Sequence, residues 1–268
     1  MSRVSSGSGE PLTPEALPFE VQVLGAGPAW SDRPGSSGAS YLVRVGRTAV
    51  LLDLGQGSFP RLIAAIEPSR LDAIVISHLH PDHFVDLVPL RHYLAYQLQP
   101  PGHVRVIGPT ALATRIDALH DRPGFTAATL DCESFPRSAI LLGDLELEAR
   151  PVTHTADSHA IRVAPAGQPG LVYSGDCGVA DDLAPLIRPG DTLLVEVSFG
   201  AGPVPPGALH LDAPAIAALV AGTQPARVLL THLQMGLDPE EPVRIVGRAF
   251  DGDVRLVEPG DVIDLRRT

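Results

Sequence analysis

The sequence has no lysine and no asparagine; all 20 basic residues are arginine. Schiff-base chemistry through a lysine amine is therefore excluded. Cysteine is nearly absent too, with only Cys132 and Cys177. A disulfide framework is not expected, and a reducing, cytoplasmic setting is. No run is long and uncharged enough for a membrane-spanning helix, so no membrane partner is expected. The opening "MSRVSSGSGEPLTPEALP" has no apolar core, so it does not read as a secretory signal. Its Ser, Gly and Pro content predicts a disordered tail over residues 1–18. Basic stripes are lacking as well: the net charge is −11 and the arginines are scattered. A long polyanion is not the substrate this suggests, although bound divalent metals would offset part of the charge locally.

What remains is an ordinary globular composition. The chain has 268 residues, 44% of them apolar, which is enough for a substantial core. After the tail, short β-like runs alternate with helical segments. Strands are predicted at 19–25, 39–45, 48–55, 71–78 and 103–109. The second half adds 145–154, 160–165, 170–176, 191–199 and 226–233. Helices are predicted at 58–66, 82–99, 110–120 and 212–222, with another over "DPEEPVRIVGRAF" and short strands at the end. No linker divides the pattern, so residues 19–268 are expected to form one α/β domain whose sheets are covered by helices.

The densest chemistry is in "VISHLHPDHFVDL", residues 75–87. Three histidines and an aspartate fall within six residues, more than a solvated turn calls for. His78 and His80 can flank one cation. Asp82 and His83, in the following loop and helix start, can turn toward a second. Imidazole and carboxylate together suit Zn, Mn or Fe. Further polar residues stand where predicted strands stop: His154, Asp176 and His232. Loops at one sheet edge make a rigid platform for a site.

"HLHPDH" resembles the H-x-H-x-D-H motif of the metallo-β-lactamase superfamily. "PVTH", "YSGD" and "LLTH" follow in that family's order, and "LLDLG" with Asp53 resembles its preceding strand. The resemblance covers nearly the whole chain beyond the tail. It implies an αββα sandwich of two central sheets flanked by helices. It implies one metal on His78, His80 and His154, a second on Asp82, His83 and His232, and Asp176 bridging them. Zn is the first expectation, with Mn or Fe as alternatives. Read singly, His154 could be a strand-end histidine bonded to backbone, Asp176 a helix cap and His232 a satisfied core histidine; in order and together they read as one constellation.

Glu196 in "LLVEVSF" and His210 in "HLDAPAIAALVA" are similar to a glutamate and histidine of the ribonuclease Z-like phosphodiesterase branch. That resemblance implies His210 as proton donor to the leaving oxygen, Glu196 as its orienting carboxylate, and Asp82 as a ligand that assists as base. Di-zinc β-lactamases usually carry cysteine where Asp176 stands, which disfavours a β-lactam substrate; Cys177, offset by one, reads as a packing residue. Between His154 and Asp176 there is no room for the tRNA-binding arm of ribonuclease Z, and Asp86 stands where that enzyme typically has glycine. The expected function is dinuclear hydrolysis of small phosphodiesters, such as cyclic nucleotides or short RNA ends, by a homodimer. The alternatives are a tRNA 3′ endonuclease, a lactonase or thioesterase, and a metal-dependent nucleotide-binding sensor. His159 is read as facing the cleft or the core, Asp86 as a partner for a histidine, Arg91 and His92 as solvated or facing substrate, and the 233–242 loop as shaping specificity.

Overall fold

The computed structural model describes residues 18–266, so all but the last residue of the predicted tail lies outside the described residues. Fourteen strands form two seven-stranded sheets. The first is built from β1 (Phe19–Gly25), β2 (Ser40–Val45), β3 (Thr48–Leu52), β4 (Ala73–Val75), β5 (Val104–Gly108) and β6 (Leu130–Ser134), closed at one edge by β14 (Val262–Asp264) in the order β14-β1-β2-β3-β4-β5-β6. The second holds β7 (Ile140–Leu142), β8 (Leu145–Pro151), β9 (His159–Pro165), β10 (Leu171–Tyr173), β11 (Thr192–Glu196), β12 (Arg227–Thr231) and β13 (Asp253–Leu256), in sequence order across the sheet. The two are built alike. β1 to β3 and β7 to β10 run antiparallel, whereas β3 to β6 and β10 to β13 run parallel.

The layering follows from period-two side-chain direction. On β2, Tyr41 and Val43 enter the core between the sheets with Tyr173, Ile161 and Leu229, while Leu42 faces away. Leu42, with Leu51 and Ile74, packs under α1 (Phe59–Ala65), α3 (Leu87–His92) and α4 (Leu112–Leu119) through Leu62, Leu90 and Ile116. On the second sheet Val172, Leu193 and Val228 pack under α5 (Ala213–Thr223) and α6 (Glu240–Gly247) through Ile216 and Val246. The expected helix–sheet–sheet–helix sandwich is the observed one. Asp212 caps α5, its carboxylate accepting from the Ala215 N–H at 3.0 Å, and Gln224 ends it in a left-handed conformation.

The structure departs from the predicted elements in three places. The helix expected over 82–99 is broken into α2 (Pro81–Phe84), α3 and a wide turn at Tyr93–Gln97. Pro89 has no N–H to give the Val85 carbonyl, and Asp86 is drawn off to cap α1 by accepting from the Phe59 N–H at 2.8 Å. β6 and β7 were not predicted; β6 is a largely exposed edge whose Asp131 and Glu133 break the apolar signature. The strands preceding His78, His154 and Asp176 stop three residues short of them. These side chains therefore lie on loops beyond the carboxyl ends of strands, where open α/β sheets gather ligands.

Candidate metal centre

The two carboxyl-end edges bring the predicted residues together. His78, His80, His154 and Asp176 offer ligand atoms all within 4.8 Å of one another, and so do Asp82, His83, Asp176 and His232. Asp176 is common to both groups and its two oxygens divide between them. Oδ2 lies 3.7 Å from His78 Nε2 and 3.6 Å from His154 Nε2. Oδ1 lies 3.2 Å from His83 Nε2 and 3.5 Å from His232 Nε2. Asp82 Oδ2 approaches the second group, 3.2 Å from His232 Nε2. His80 is exposed and His154 half-buried, whereas the second group is buried throughout, so the cluster opens to solvent on the His80 side.

Three of the atoms facing the centre are left unsatisfied by protein. His78 Nε2, His83 Nε2 and Asp176 Oδ1 are buried without a hydrogen-bond partner. A buried polar atom left alone costs about 1–3 kcal/mol, and three of them converging on one spot fit a cation. The far sides of the rings are occupied instead. His83 Nδ1 donates to Asp53 Oδ2 at 2.7 Å, and His154 Nδ1 donates to the Leu209 carbonyl at 2.6 Å. Such bonds leave Nε2 with its lone pair toward the centre.

Asp53 is the hub on the first sheet. Fully buried, it also accepts from the Ser77 N–H, the Ser77 hydroxyl and the Tyr173 hydroxyl, each at 2.7 Å. Its φ of 58° and the 61° of His232 place both in the left-handed region, which side chains adopt at a cost and which concentrates at functional sites. Gly55, two residues on, is needed for space: a Cβ there would meet the Asp82 carbonyl oxygen at 1.9 Å. Thus the strand-end loop "DLG" braces the backbone that carries Asp82 and His83, whose carbonyl accepts from the Leu54 N–H at 2.8 Å.

Electrostatically the cluster is an imidazole–carboxylate lattice. Burial disfavours charge on His83, yet Asp176 and Asp53 outweigh it and hold the ring well above the usual histidine range. His232 is raised likewise, against burial, chiefly by Asp176 and by its bond to Asp82. His78 goes the other way, lowered by burial and by the neighbouring His83. Burial opposes charge on Asp176, but His232 and His83 overcome it and keep its carboxyl well below the usual carboxylate range.

Glu196 and His210 stand beside this cluster. His210 Nδ1 lies 3.0 Å from Glu196 Oε1, and the ring is half-buried. Burial lowers its pKa, but the hydrogen bond and charge of Glu196 leave it raised. Glu196 is buried and also accepts from the Cys177 N–H at 2.8 Å.

A family model described as a beta-lactamase superfamily domain matches residues 50–233. The chain belongs to that superfamily. Among superfamily relatives, ribonuclease Z of Mycobacterium marinum is 30% identical over 195 residues, covering 69% of this chain and 68% of the relative. The probable metallo-hydrolase YhfI of Bacillus subtilis is 23% identical over 227 residues, covering 84% of this chain and 91% of the relative. The crystal structure of YhfI, a metallo-beta-lactamase fold protein, superposes with a TM-score of 0.81 at 22% identity, covering 92% of this chain and 99% of that one.

The cluster gathers every residue expected to hold a metal; other expectations fall elsewhere. The Asp86 carboxylate is spent on capping α1, and burial raises its carboxyl above the usual range. Arg91 is buried with its guanidinium 3.8 Å from the Phe125 ring centre, and His92 Nδ1 donates to the Val88 carbonyl. His159 is half-buried and stacks on Phe135, with ring centres 4.0 Å apart, outside the cluster. Cys177 packs in the second sheet's outer core, and burial pushes its thiol up to about 12. The loop between β1 and β2 reaches the site through Ala26, whose carbonyl accepts from the His232 N–H at 2.9 Å. A cavity of about 200 Å³ lies beside it, lined by Arg33, Ser36, Leu233 and Glu258 among others, so one residue of the 233–242 loop borders this space. Sequence reasoning gave no role to Asp53, Ser77, Tyr173 or Ser198, whose hydroxyls and carboxylate hold the histidines from behind. The only local signal was a polar residue interrupting an apolar strand end.

Proposed function

We propose that the chain is a dinuclear metal-dependent phosphodiesterase acting on small diesters such as cyclic nucleotides or short RNA ends. The carrying observation is that Asp176 turns one oxygen to each of two imidazole groups. One ion would be held by His78, His80 and His154, the other by Asp82, His83 and His232, with Asp176 shared; Zn is favoured, with Mn or Fe possible at such donors. When bound, two such ions supply Lewis acidity toward phosphoryl oxygens and a strong nucleophile at neutral pH. The protein's own part is proton delivery. His210, held by Glu196 and kept in its charged form to higher pH, protonates the leaving alkoxide. Asp82 ligates and assists as base. The chain spans the metal centre without a tRNA-binding arm between His154 and Asp176, and its net charge is −11. Both favour a small substrate over tRNA, although a ribonuclease Z is among its relatives.

Among the described residues no helix is long and apolar enough to cross a membrane. Cys132 and Cys177 are unpaired, which supports a cytoplasmic setting, and a homodimer accords with the ribonuclease Z resemblance. The test is hydrolysis of bis(p-nitrophenyl) phosphate by protein reconstituted separately with Zn and Mn, beside a lactone and a thioester. Diester turnover well above the other two supports the reading; turnover confined to the lactone or thioester replaces it.

A further inference from the structure

The two sheets each hold a pair of histidines by the same device. In the first, Asp53 takes His83 Nδ1 directly at 2.7 Å and also accepts the Ser77 hydroxyl at 2.7 Å. Ser77 Oγ in turn lies 3.1 Å from His78 Nδ1. In the second, Glu196 takes His210 Nδ1 directly at 3.0 Å and also accepts the Ser198 hydroxyl. Ser198 Oγ in turn lies 3.0 Å from His232 Nδ1. Both serines are buried.

A hydroxyl has one proton. Spent on the carboxylate, it leaves the serine oxygen only its lone pairs for the imidazole. The ring must then donate from Nδ1, which turns Nε2 toward the centre, where His78 Nε2 has no protein partner and His232 Nε2 meets only the ligand-side Asp82 Oδ2 at 3.2 Å. We infer that Ser77 and Ser198 are positioning residues that fix His78 and His232 in their ligating tautomer, each relaying the negative charge of one buried carboxylate. Ser198 does more than its counterpart, because the carboxylate behind it also holds His210. One glutamate thereby sets both a metal-facing ring and the candidate proton donor; Ser198 Oγ lies 3.0 Å from His232 Nδ1 and 3.3 Å from His210 Nδ1, but His210 has its own, shorter bond of 3.0 Å to Glu196. Glu196, His210 and His232 could by spacing alone hold an ion of their own. Ser198, bonded to Glu196 and reaching His232, already serves those atoms, so the structure assigns them to orientation.

This inference rests on the metal-centre reading but not on the identity of the substrate. Its test is a chelator-competition titration of Zn into Ser77→Ala, Ser198→Ala and Ser198→Thr, with thermal melting of each metal-free variant to show that it folds. Loss of a partner behind a ligating histidine lowers metal affinity by about 10–100-fold. Ser198→Ala is expected to weaken one of two Zn equivalents by about that factor, and Ser77→Ala likewise. Ser198→Thr, which keeps the hydroxyl, is expected to restore affinity. The ratio of turnover on a nitrophenyl diester to that on an alkyl diester should stay unchanged in Ser198→Ala, because His210 keeps its own bond to Glu196. Wild-type affinity for both equivalents in the two Ala variants would overturn the inference. So would a changed leaving-group ratio in Ser198→Ala with metal binding intact. Weakened metal binding in a protein whose wild type hydrolyses no diester would sustain the inference and defeat the phosphodiesterase reading.

Discussion

Replacing Asp53 would test how the buried framework sustains the site. The carboxylate accepts four hydrogen bonds at 2.7 Å, from the Ser77 N–H, the Ser77 hydroxyl, His83 Nδ1 and the Tyr173 hydroxyl. Asp53→Ala would orphan all four donors. Taken singly, bonds to a charged group are worth about 1.5–3 kcal/mol each, but they share one desolvated carboxylate and do not add. Removing one partner of a buried ionic network costs about 3–5 kcal/mol. Alanine would also have to take the left-handed backbone, with φ near 58°, at a further cost of about 1–2 kcal/mol. Asp53→Asn separates these effects. It tolerates the backbone and keeps the volume, but its amide N–H₂ confronts donors. A loss of about 2–4 kcal/mol is expected for Asn, and more for Ala. At about 2–4 °C per kcal/mol for a chain near this size, metal-free Asp53→Asn should melt about 4–16 °C below wild type. Zn affinity should fall about 10–100-fold, because His83 loses the bond that orients it. The assay is differential scanning calorimetry with chelator, followed by competition titration. An Asn variant melting within about 1 °C of wild type and binding Zn normally would refute the reasoning, since at that sensitivity the network would contribute almost nothing.

Other perturbations separate the parts. His210→Ala should keep its metals but lose about 100-fold or more in turnover on an alkyl diester, while a nitrophenyl diester, whose leaving group needs little protonation, is largely spared; equal losses on both would refute the proton-donor role. In the metal-free protein His83 and His232 are raised, so their stabilisation is present below about pH 6.5 and lost as pH rises through the raised values. Asp176 and Asp82 are lowered, so theirs is present above about pH 4 and lost as pH falls through the lowered values. His78 and His80 are lowered and oppose this below about pH 6.5, but at about pH 6 each can cost only about 1 kcal/mol. The chelated protein should therefore still melt higher at about pH 6 than at about pH 9, and a lower melting temperature at about pH 6 would contradict the assignment. Far from the site, Arg162 donates two bonds of 2.8 Å to Asp191, both buried. Asp191→Ala should cost about 3–5 kcal/mol in urea unfolding without changing metal affinity.

How much of this could be read in the sequence depends on where each contact is made. His78, His80, Asp82 and His83 are visible because one loop and one helix start carry them. His154, Asp176 and His232 are visible only through their order along the chain, since separate strand ends deliver them. Asp53 is visible within "LLDLG", but its partners are not: Asp53, Ser77, Tyr173 and Ser198 pair across strands and sheets, and their only local trace is a polar residue at an apolar strand end. The same limit explains the misread helix over 82–99. Its apolar spacing was right, but Asp86 was needed at the start of α1 and Pro89 could not continue the ladder. The β6 edge escaped because exposed strands carry no alternating apolar face.

The central claim is that two ions share Asp176, and counting them tests it most directly. Metal analysis after reconstitution with Zn and gel filtration should give about two equivalents per wild-type chain, and markedly fewer in Asp176→Ala, whose shared carboxylate is gone. One equivalent in wild type, or two retained in Asp176→Ala, would contradict it.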